Sequence, residues 1–282
     1  MSACPSRCSR SVIITRLRAV GCVFAEDEAR LLISAARTSE ELAAMVDRRV
    51  AGLPLEHVVG WAEFCGLRIT VDPGVFVPRR RTEFLVQQAA ALAGLADGPA
   101  DRGRSRGVVV DLCCGSGAVG AALVAALDRV ELYAVDLDPA AVRCARHNVA
   151  AAGAQVYEGD LYQPLPATLR RRVEILVANA PYVPTEAIGL LPPEARLHEP
   201  RVALDGGEDG LEVLRRVIDA APRWLAPGGY LLVETSERQA PQAVETLARS
   251  GLIPRVANSG ELNATVVIGT EPAFRPSAVA LS

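Results

Sequence analysis

Two short motifs in this 282-residue chain carry the residues best able to do chemistry. Asn179-Ala180-Pro181-Tyr182 closes the apolar run Val173-Glu174-Ile175-Leu176-Val177-Ala178, and Asp111-Leu112-Cys113-Cys114-Gly115-Ser116-Gly117 lies upstream. An Asn at the carboxyl end of a buried strand can accept a hydrogen bond from a planar amino group. The backbone carbonyl beside it accepts a second. Pro181 fixes its own φ and holds both acceptors still, and Tyr182 covers one face of the target. An amide nitrogen is a poor nucleophile because its lone pair is delocalised into the carbonyl. Two acceptors that fix both N–H bonds aim that lone pair and favour a more tetrahedral nitrogen. Beside a nucleotide-like cofactor, this is a device for methylating an amide or exocyclic amino nitrogen. Taken alone, Asn-x-Pro-Tyr also reads as a plain turn after a strand.

The loop from Cys113 to Gly117 follows a strand ending in Asp111-Leu112 and precedes a helix of small residues. Gly115-Ser116-Gly117 lets the backbone approach a ligand closely. Alone, such a Gly-x-Gly is equally a tight strand-to-helix turn. Asp136 ends the next strand about 20 residues on, where an acid accepts the hydroxyls of a ribose. Asp138 suits the cap of the helix that opens at Pro139. Gly159-Asp160-Leu161 follows the short strand Gln155-Val156-Tyr157. Asp160 would accept an exocyclic amino group there, and Leu161 would pack on the ring. A solvated loop acid is the plain alternative for Asp160.

The elements that position these motifs alternate. Strands are expected at 108–112, 130–136, 155–157, 173–178, 229–234 and 264–269. Helices are expected at 118–127, 139–151, 210–225 and 237–250. This alternation predicts an α/β fold with a doubly wound, mostly parallel sheet, whose ligands sit at the carboxyl ends of strands. Residues 82–95 read as a further helix, and 97–107 as a surface loop. Residues 1–52 read as a small N-terminal helical domain with a frayed end. Thr38-Ser39-Glu40-Glu41 forms a capping box, and Glu26-Asp27-Glu28 an acidic helix start. Residues 53–80 read as a β-hairpin linker, with a strand over 64–71 turning at Asp72-Pro73-Gly74. Residues 81–282 form the catalytic domain, with a loose tail after Glu271.

Composition narrows the classes. The formal net charge is −3 and half of the residues are hydrophobic. That argues against a protein that coats nucleic acid nonspecifically, since phosphate contacts need clustered cations, and leaves Arg79-Arg80-Arg81 and Arg170-Arg171-Arg172 as candidates for a local basic patch. All 30 basic residues are Arg, which reflects codon bias and says little about partners. The seven cysteines match no zinc or disulfide framework, so no metal is expected and reduced thiols are. No uncharged run approaches the ~20 residues of a membrane span. The N-terminal apolar stretch is too short for a signal peptide. A soluble, cytoplasmic protein without membrane partners is expected.

Together, Asp111, Gly115-Ser116-Gly117, Asp136, Gly159-Asp160 and Asn179-Ala180-Pro181-Tyr182 resemble the motifs of S-adenosylmethionine-dependent amino methyltransferases. Three further segments narrow the resemblance. They are Gly52-Leu53-Pro54-Leu55-Glu56-His57-Val58-Val59-Gly60 with Phe64-Cys65-Gly66, Phe76-Val77-Pro78-Arg79-Arg80-Arg81-Thr82-Glu83, and His198-Glu199-Pro200-Arg201-Val202-Ala203-Leu204-Asp205-Gly206-Gly207 with Asp209-Gly210-Leu211. The set is similar to the release-factor glutamine methyltransferases over about residues 30–270. The resemblance implies a Rossmann-like class I methyltransferase sheet with a small N-terminal helical domain. It implies methyl transfer from S-adenosylmethionine to the side-chain amide nitrogen of a glutamine, that of the Gly-Gly-Gln loop of a peptide-chain release factor or of another protein. Asp111, Cys113, Cys114, Gly115, Ser116, Gly117, Asp136, Asp160, Leu161 and Asn179 would hold the cofactor. Asn179, Ala180, Pro181 and Tyr182 would hold the glutamine, with Asn179, Pro181 and Tyr182 at the chemistry. The helical segment would help dock the protein substrate.

This chain departs from the family pattern at four places. Ala180 stands for the first Pro of Asn-Pro-Pro-Tyr, which keeps the carbonyl and loses stiffness. Cys113-Cys114 stand for Gly-Thr, so Cys113 must adopt its conformation without glycine's freedom. Leu161 stands where an aromatic is common. Arg80 and Arg81 replace a Pro and an acid. These changes cluster around substrate and cofactor, as in an actinobacterial-type offshoot with its own protein substrate. A nucleic-acid amino methyltransferase would need base flipping and a basic groove. The acidic composition and the lack of a long recognition domain count against it. A silent cofactor-binding protein is the remaining alternative, and the retained Asn179 and Tyr182 count against that.

Overall fold

The computed structural model describes residues 9–96 and 107–273. The expected frayed start, most of the 97–107 loop and the end of the tail lie outside them. Four helices open the chain: α1 (Arg10–Ala19), α2 (Ala25–Ala35), α3 (Ser39–Val50) and α4 (Leu55–Val59). They close around Ile13, Leu17, Leu32, Met45, Val46 and Val58. The Glu41 N–H donates to Thr38 Oγ1 at 3.1 Å, so Thr38 caps α3. The Glu41 carboxylate takes the Arg37 N–H instead of that of Thr38, so the reciprocal half of the box is shifted by one residue. The α4 helix adds Val58 to this core, so the helical packing continues past residue 52.

A hairpin follows, β1 (Trp61–Phe64) against β2 (Leu67–Thr70), with Phe64 opposite Leu67. The chain reverses at Cys65-Gly66, with φ of 50° and 73°. Two consecutive positive φ values match the right-handed twist of a tight hairpin. The expected reversal at Asp72-Pro73-Gly74 is instead a separate turn, in which the Val75 N–H donates to the Asp72 carbonyl.

The remaining elements are α5 (Glu83–Ala96), β3 (Gly107–Leu112), α6 (Ala118–Ala126), β4 (Val130–Asp136), α7 (Pro139–Val149), β5 (Gln155–Glu158), β6 (Val173–Ala178), α8 (Pro193–His198), α9 (Glu212–Ala220), β7 (Leu225–Thr235), α10 (Ala240–Arg249), β8 (Ile253–Ser259) and β9 (Ala264–Thr270). The seven strands from β3 onward form one sheet in the order β5-β4-β3-β6-β7-β9-β8. Pairs from β5 to β7 are parallel, and β9 runs antiparallel to both neighbours. This is the expected doubly wound α/β sheet. The β8 strand was not expected. Its Ile253, Arg255 and Val256 are exposed and it carries Pro254, as an edge strand tolerates.

Both faces of the sheet are covered, and the strand period of two divides its side chains between them. Val108, Val110 and Leu112 join Leu231 and Val233 against Leu214, Val217 and Ile218 of α9 and Leu247 of α10. Val109, Ile175, Val177 and Leu232 face the other way, against Leu85 of α5, Leu123 of α6 and Val142 of α7. A buried leucine contributes about 1.5–3 kcal/mol relative to exposure. Two such layers make the sheet a rigid platform for the loops at its carboxyl end.

Candidate active site

The chain leaves β3 in one direction, to β4 and β5, and returns to the other side of β3 with β6. That reversal opens a crevice at the carboxyl ends of β3 and β6, where open α/β sheets bind ligands. Leu112 lies opposite Ala178 in the parallel ladder. The Cys113–Gly117 loop and the Asn179–Tyr182 segment therefore begin side by side although far apart in sequence. A cavity of about 610 Å³ occupies the crevice. Every sequence-predicted site residue except Gly117 lines it: Asp111, Cys113, Cys114, Gly115, Ser116, Asp136, Asp160, Leu161, Asn179, Ala180, Pro181 and Tyr182. Gly117 is the N-cap of α6 and lies outside the lining.

The half of the cavity expected from the sequence to hold a cofactor is built on β3 and β4. Gly115 and Gly117 have φ of 54° and 78°, and a Cβ on Gly117 would sit 3.1 Å from Ala145 on α7. Glycine there lets α6 pack against α7. Cys113 adopts φ of 55° without that freedom, as its place in the loop requires. Asp136 Oδ2 accepts the Gly115 N–H at 2.8 Å, and Oδ1 accepts the Asp138 N–H at 2.9 Å. The loop and the acid thus fix each other. Asp138 caps α7 by accepting the Ala140 N–H, as expected for that acid. Asp111 is buried and accepts the Gly120 N–H at 2.9 Å. Burial pushes its carboxyl up to about 7, and the nearby Asp136 adds to the rise. Burial raises Asp136 as well, against the lowering effect of the backbone N–H groups that donate to it. Burial also pushes the Cys113 and Cys114 thiols up, so both stay protonated and weakly reactive.

Asp160 and Leu161 lie at the far side of this half. Asp160 Oδ2 is shared by Gln163 Nε2 at 3.1 Å and Arg216 Nη2 at 2.5 Å. An acceptor role for Asp160 therefore falls to its other oxygen. Leu161 has φ of 50° and packs into the core beside Leu112 and Tyr133.

The acceptor half is built on β6. Asn179 Nδ2 donates to Thr82 Oγ1 at 3.3 Å. The Tyr182 hydroxyl donates to Glu234 Oε1 at 3.1 Å, and Arg81 Nε donates to the same oxygen at 3.2 Å. Glu234 is 2 % exposed, and its Oε2 has no partner among the described residues. Burial and the Glu234 carboxylate push the Tyr182 phenol up, so it stays protonated. The loop 204–210 braces the segment from behind. The Val183 N–H donates to the Leu204 carbonyl, and the Gly206 N–H to the Val183 carbonyl. A Cβ at Gly206 would lie 2.7 Å from the Pro181 carbonyl, so a side chain there would force the two strands of backbone apart. Gln239 Nε2 clamps the Tyr182 and Asp209 carbonyls at 3.0 and 3.1 Å.

Thr82, Arg81, Gln239 and Glu199 carry roles that the sequence did not assign. Thr82 and Arg81 stand in a segment already marked as distinctive, and Glu234 at a strand end beside the site. Glu199 is buried, accepts Arg79 on both oxygens and the Val77 N–H, and so ties the 76–83 segment to α8. His57 is buried against the Val75 carbonyl, outside the cavity lining. Among the described residues, no group of three or more His, Cys, Asp or Glu could hold a metal. Nor is any described helix long and apolar enough to cross a membrane.

The cofactor half suits S-adenosylmethionine. The buried Asp111 and half-buried Asp136 carboxylates favour a cationic ligand, Asp136 retains acceptor capacity for ribose hydroxyls, and the cavity volume fits a nucleoside-sized group. Residues 67–190 match the family model of the methyltransferase small domain. A release factor glutamine methyltransferase of Geobacter sulfurreducens is 39 % identical over 217 residues, covering 75 % of this chain and 72 % of that protein. A 4-amino-L-phenylalanine/4-methylamino-L-phenylalanine methyltransferase of Streptomyces pristinaespiralis is 39 % identical over 197 residues, covering 69 % and 65 %. Among solved structures, a methyltransferase from Pyrococcus furiosus shares the fold with a TM-score of 0.52 at 14 % identity, covering 73 % of this chain and 90 % of that one. Sheet order, paired loops and extended sequence identity agree, and the chain belongs to the release factor glutamine methyltransferase family.

Proposed function

We propose that this protein methylates the side-chain amide nitrogen of a glutamine in a peptide-chain release factor. The observation that carries this reading is the hydrogen bond from Asn179 Nδ2 to Thr82 Oγ1. It engages one of the two Nδ2 N–H donors of the Asn179 amide and leaves Oδ1 as an acceptor beside the Ala180 carbonyl. Two acceptors side by side match the two N–H bonds of a primary amide. The Tyr182 ring, held by Glu234, supports one face.

S-adenosylmethionine supplies a methyl group on a sulfonium, whose positive charge is lost as the methyl leaves. Asp111, Asp136, Asp160, Leu161 and the Cys113–Gly117 loop would hold it. Asn179 and Ala180 grip the acceptor N–H bonds and turn the nitrogen lone pair toward the electrophile. The residues of the acceptor half are neutral or paired, and none is required as a strong acid. The nitrogen sheds its proton to water after transfer. The helical unit α1–α4, which reaches the cavity mouth through Arg49, serves as the docking surface for the protein substrate.

The test is methyl transfer from labelled S-adenosylmethionine to recombinant release factors, read by peptide mass spectrometry. A methyl on the Gly-Gly-Gln glutamine is the expected result. Label on a nucleic acid, or cofactor binding without protein label, would refute the reading.

A further inference from the structure

Arg81 has a use beyond its ion pair. The turn Arg80–Thr82 delivers two consecutive side chains to the acceptor half, Thr82 to Asn179 and Arg81 to Glu234. The guanidinium carbon of Arg81 lies 5.7 Å from the centre of the Tyr182 ring, and the side chain lines the cavity. Among the described residues, its one recorded hydrogen bond leaves through Nε. Both terminal nitrogens keep their donors. Its partner Glu234 is sequestered, while the Arg81 side chain is 46 % exposed. The neighbouring Arg79 is different, because Glu199 occupies its Nη2 with both oxygens.

The charge at this point is already balanced, since the Arg81 cation faces the Glu234 anion. What is left over is hydrogen-bonding capacity with fixed geometry. A balanced guanidinium with unspent, coplanar N–H donors suits neutral carbonyl oxygens in a row. A peptide main chain beside the acceptor side chain supplies them. We propose that Arg81 is a substrate-recognition residue, and that its terminal N–H groups grip main-chain carbonyls flanking the acceptor glutamine. Glu234 aims the fork by holding Nε. The inference rests on the protein-substrate reading above and adds the group that recognises the peptide backbone.

The experiment is steady-state methyl transfer to an intact release factor by the wild type, Arg81→Lys and Arg81→Gln, with cofactor binding by calorimetry and thermal melting as controls. Both variants are expected to raise KM for the release factor about tenfold, the size of losing a charge-assisted hydrogen bond, with kcat within about twofold. Cofactor affinity stays unchanged. Arg81→Lys keeps the charge and loses the fork, so recovery of wild-type KM by Lys would overturn the inference in favour of an anionic ligand. An unchanged KM in both variants would overturn it outright, as would a fall in kcat at constant KM. If the wild type methylates no release factor, the protein-substrate reading fails and this inference falls with it. A methylating wild type with Arg81-independent kinetics sinks this inference alone.

Discussion

Asn179 and Thr82 are separated by 97 residues in sequence, and their side chains meet at 3.3 Å across the mouth of the crevice. A carboxamide can turn about its last bond and exchange oxygen for nitrogen. In this rotamer the Thr82 hydroxyl accepts from Nδ2, which under the proposed function leaves Oδ1 for the substrate.

Removing Asn179 should therefore separate binding from chemistry. Asn179→Ala is expected to lower kcat by at least about a hundredfold, the scale of losing a positioned transition-state contact, while cofactor affinity changes little. Thr82→Val should give a milder loss, about tenfold in kcat, because the amide still exists but is no longer oriented. Thr82→Ser should restore activity. Loss of cofactor binding in a folded Asn179→Ala protein would show that the two halves of the site are not independent.

The pair also shows what a single sequence can and cannot disclose. The strand-ending motifs were legible because their chemistry is local: a Gly-rich turn after β3, an acid after β4, an Asn after β6. The parallel register that seats Leu112 beside Ala178 then follows from the alternation of strands and helices. The links between segments were not legible. Thr82 to Asn179, Arg81 to Glu234 and Arg49 to Glu194 join elements distant in sequence, and no periodicity encodes them. The β8 strand was hidden for another reason: an edge strand with exposed apolar residues and a Pro lacks the hydrophobic run of a buried one. The hairpin turn was misplaced because Asp-Pro-Gly is the louder signal, whereas Cys65 takes a positive φ with Gly66 behind it.

Asp111 and Asp136 make the cofactor half pH-sensitive. Folding raises the Asp111 pKa to about 7, from about 3.9 for an unperturbed Asp. The folded chain therefore binds this proton more tightly than the unfolded chain. The stability it contributes is full below about 4, declines as pH rises, and is gone above about 7. Asp136 is shifted in the same direction. A cationic cofactor prefers the ionised carboxylates, so its affinity should rise as pH increases through 7. Calorimetric titrations at several pH values between 5.5 and 8.5 check this. Asp111→Asn should flatten the profile. A constant affinity across that range in the wild type would contradict the placement of these acids against the cofactor's charge.

Cys113 stores strain in the cofactor loop. An L-residue with a side chain pays roughly 1–2 kcal/mol in the left-handed region, and glycine gives back about 0.5–1 kcal/mol through unfolded-state entropy. Cys113→Gly is thus expected to stabilise the protein by up to about 1 kcal/mol, with cofactor binding retained. Cys113→Ala keeps the strained φ and should give no such gain. Denaturant unfolding of both variants in parallel separates relief of strain from loss of the thiol.

Arg49 links the helical unit to the cavity mouth. It is 6 % exposed, holds Glu28 through Nε and Nη2, and reaches Glu194 on α8 through Nη1 at 2.6 Å. Glu194 itself lines the cavity. Arg49→Met removes a buried cation and leaves Glu28, whose side chain is 13 % exposed, without its counter-charge. Breaking a buried pair from one side costs about 3–5 kcal/mol. Glu194→Gln should be nearly silent for stability, because its side chain is 46 % exposed and solvent screens the pair. The two variants should converge in function, since each removes the charge pair between Arg49 and Glu194 of α8. If that contact aligns a docked protein with the acceptor half, both should raise KM for the protein substrate while leaving cofactor affinity intact. A Glu194→Gln enzyme with wild-type KM would confine Arg49 to a structural role.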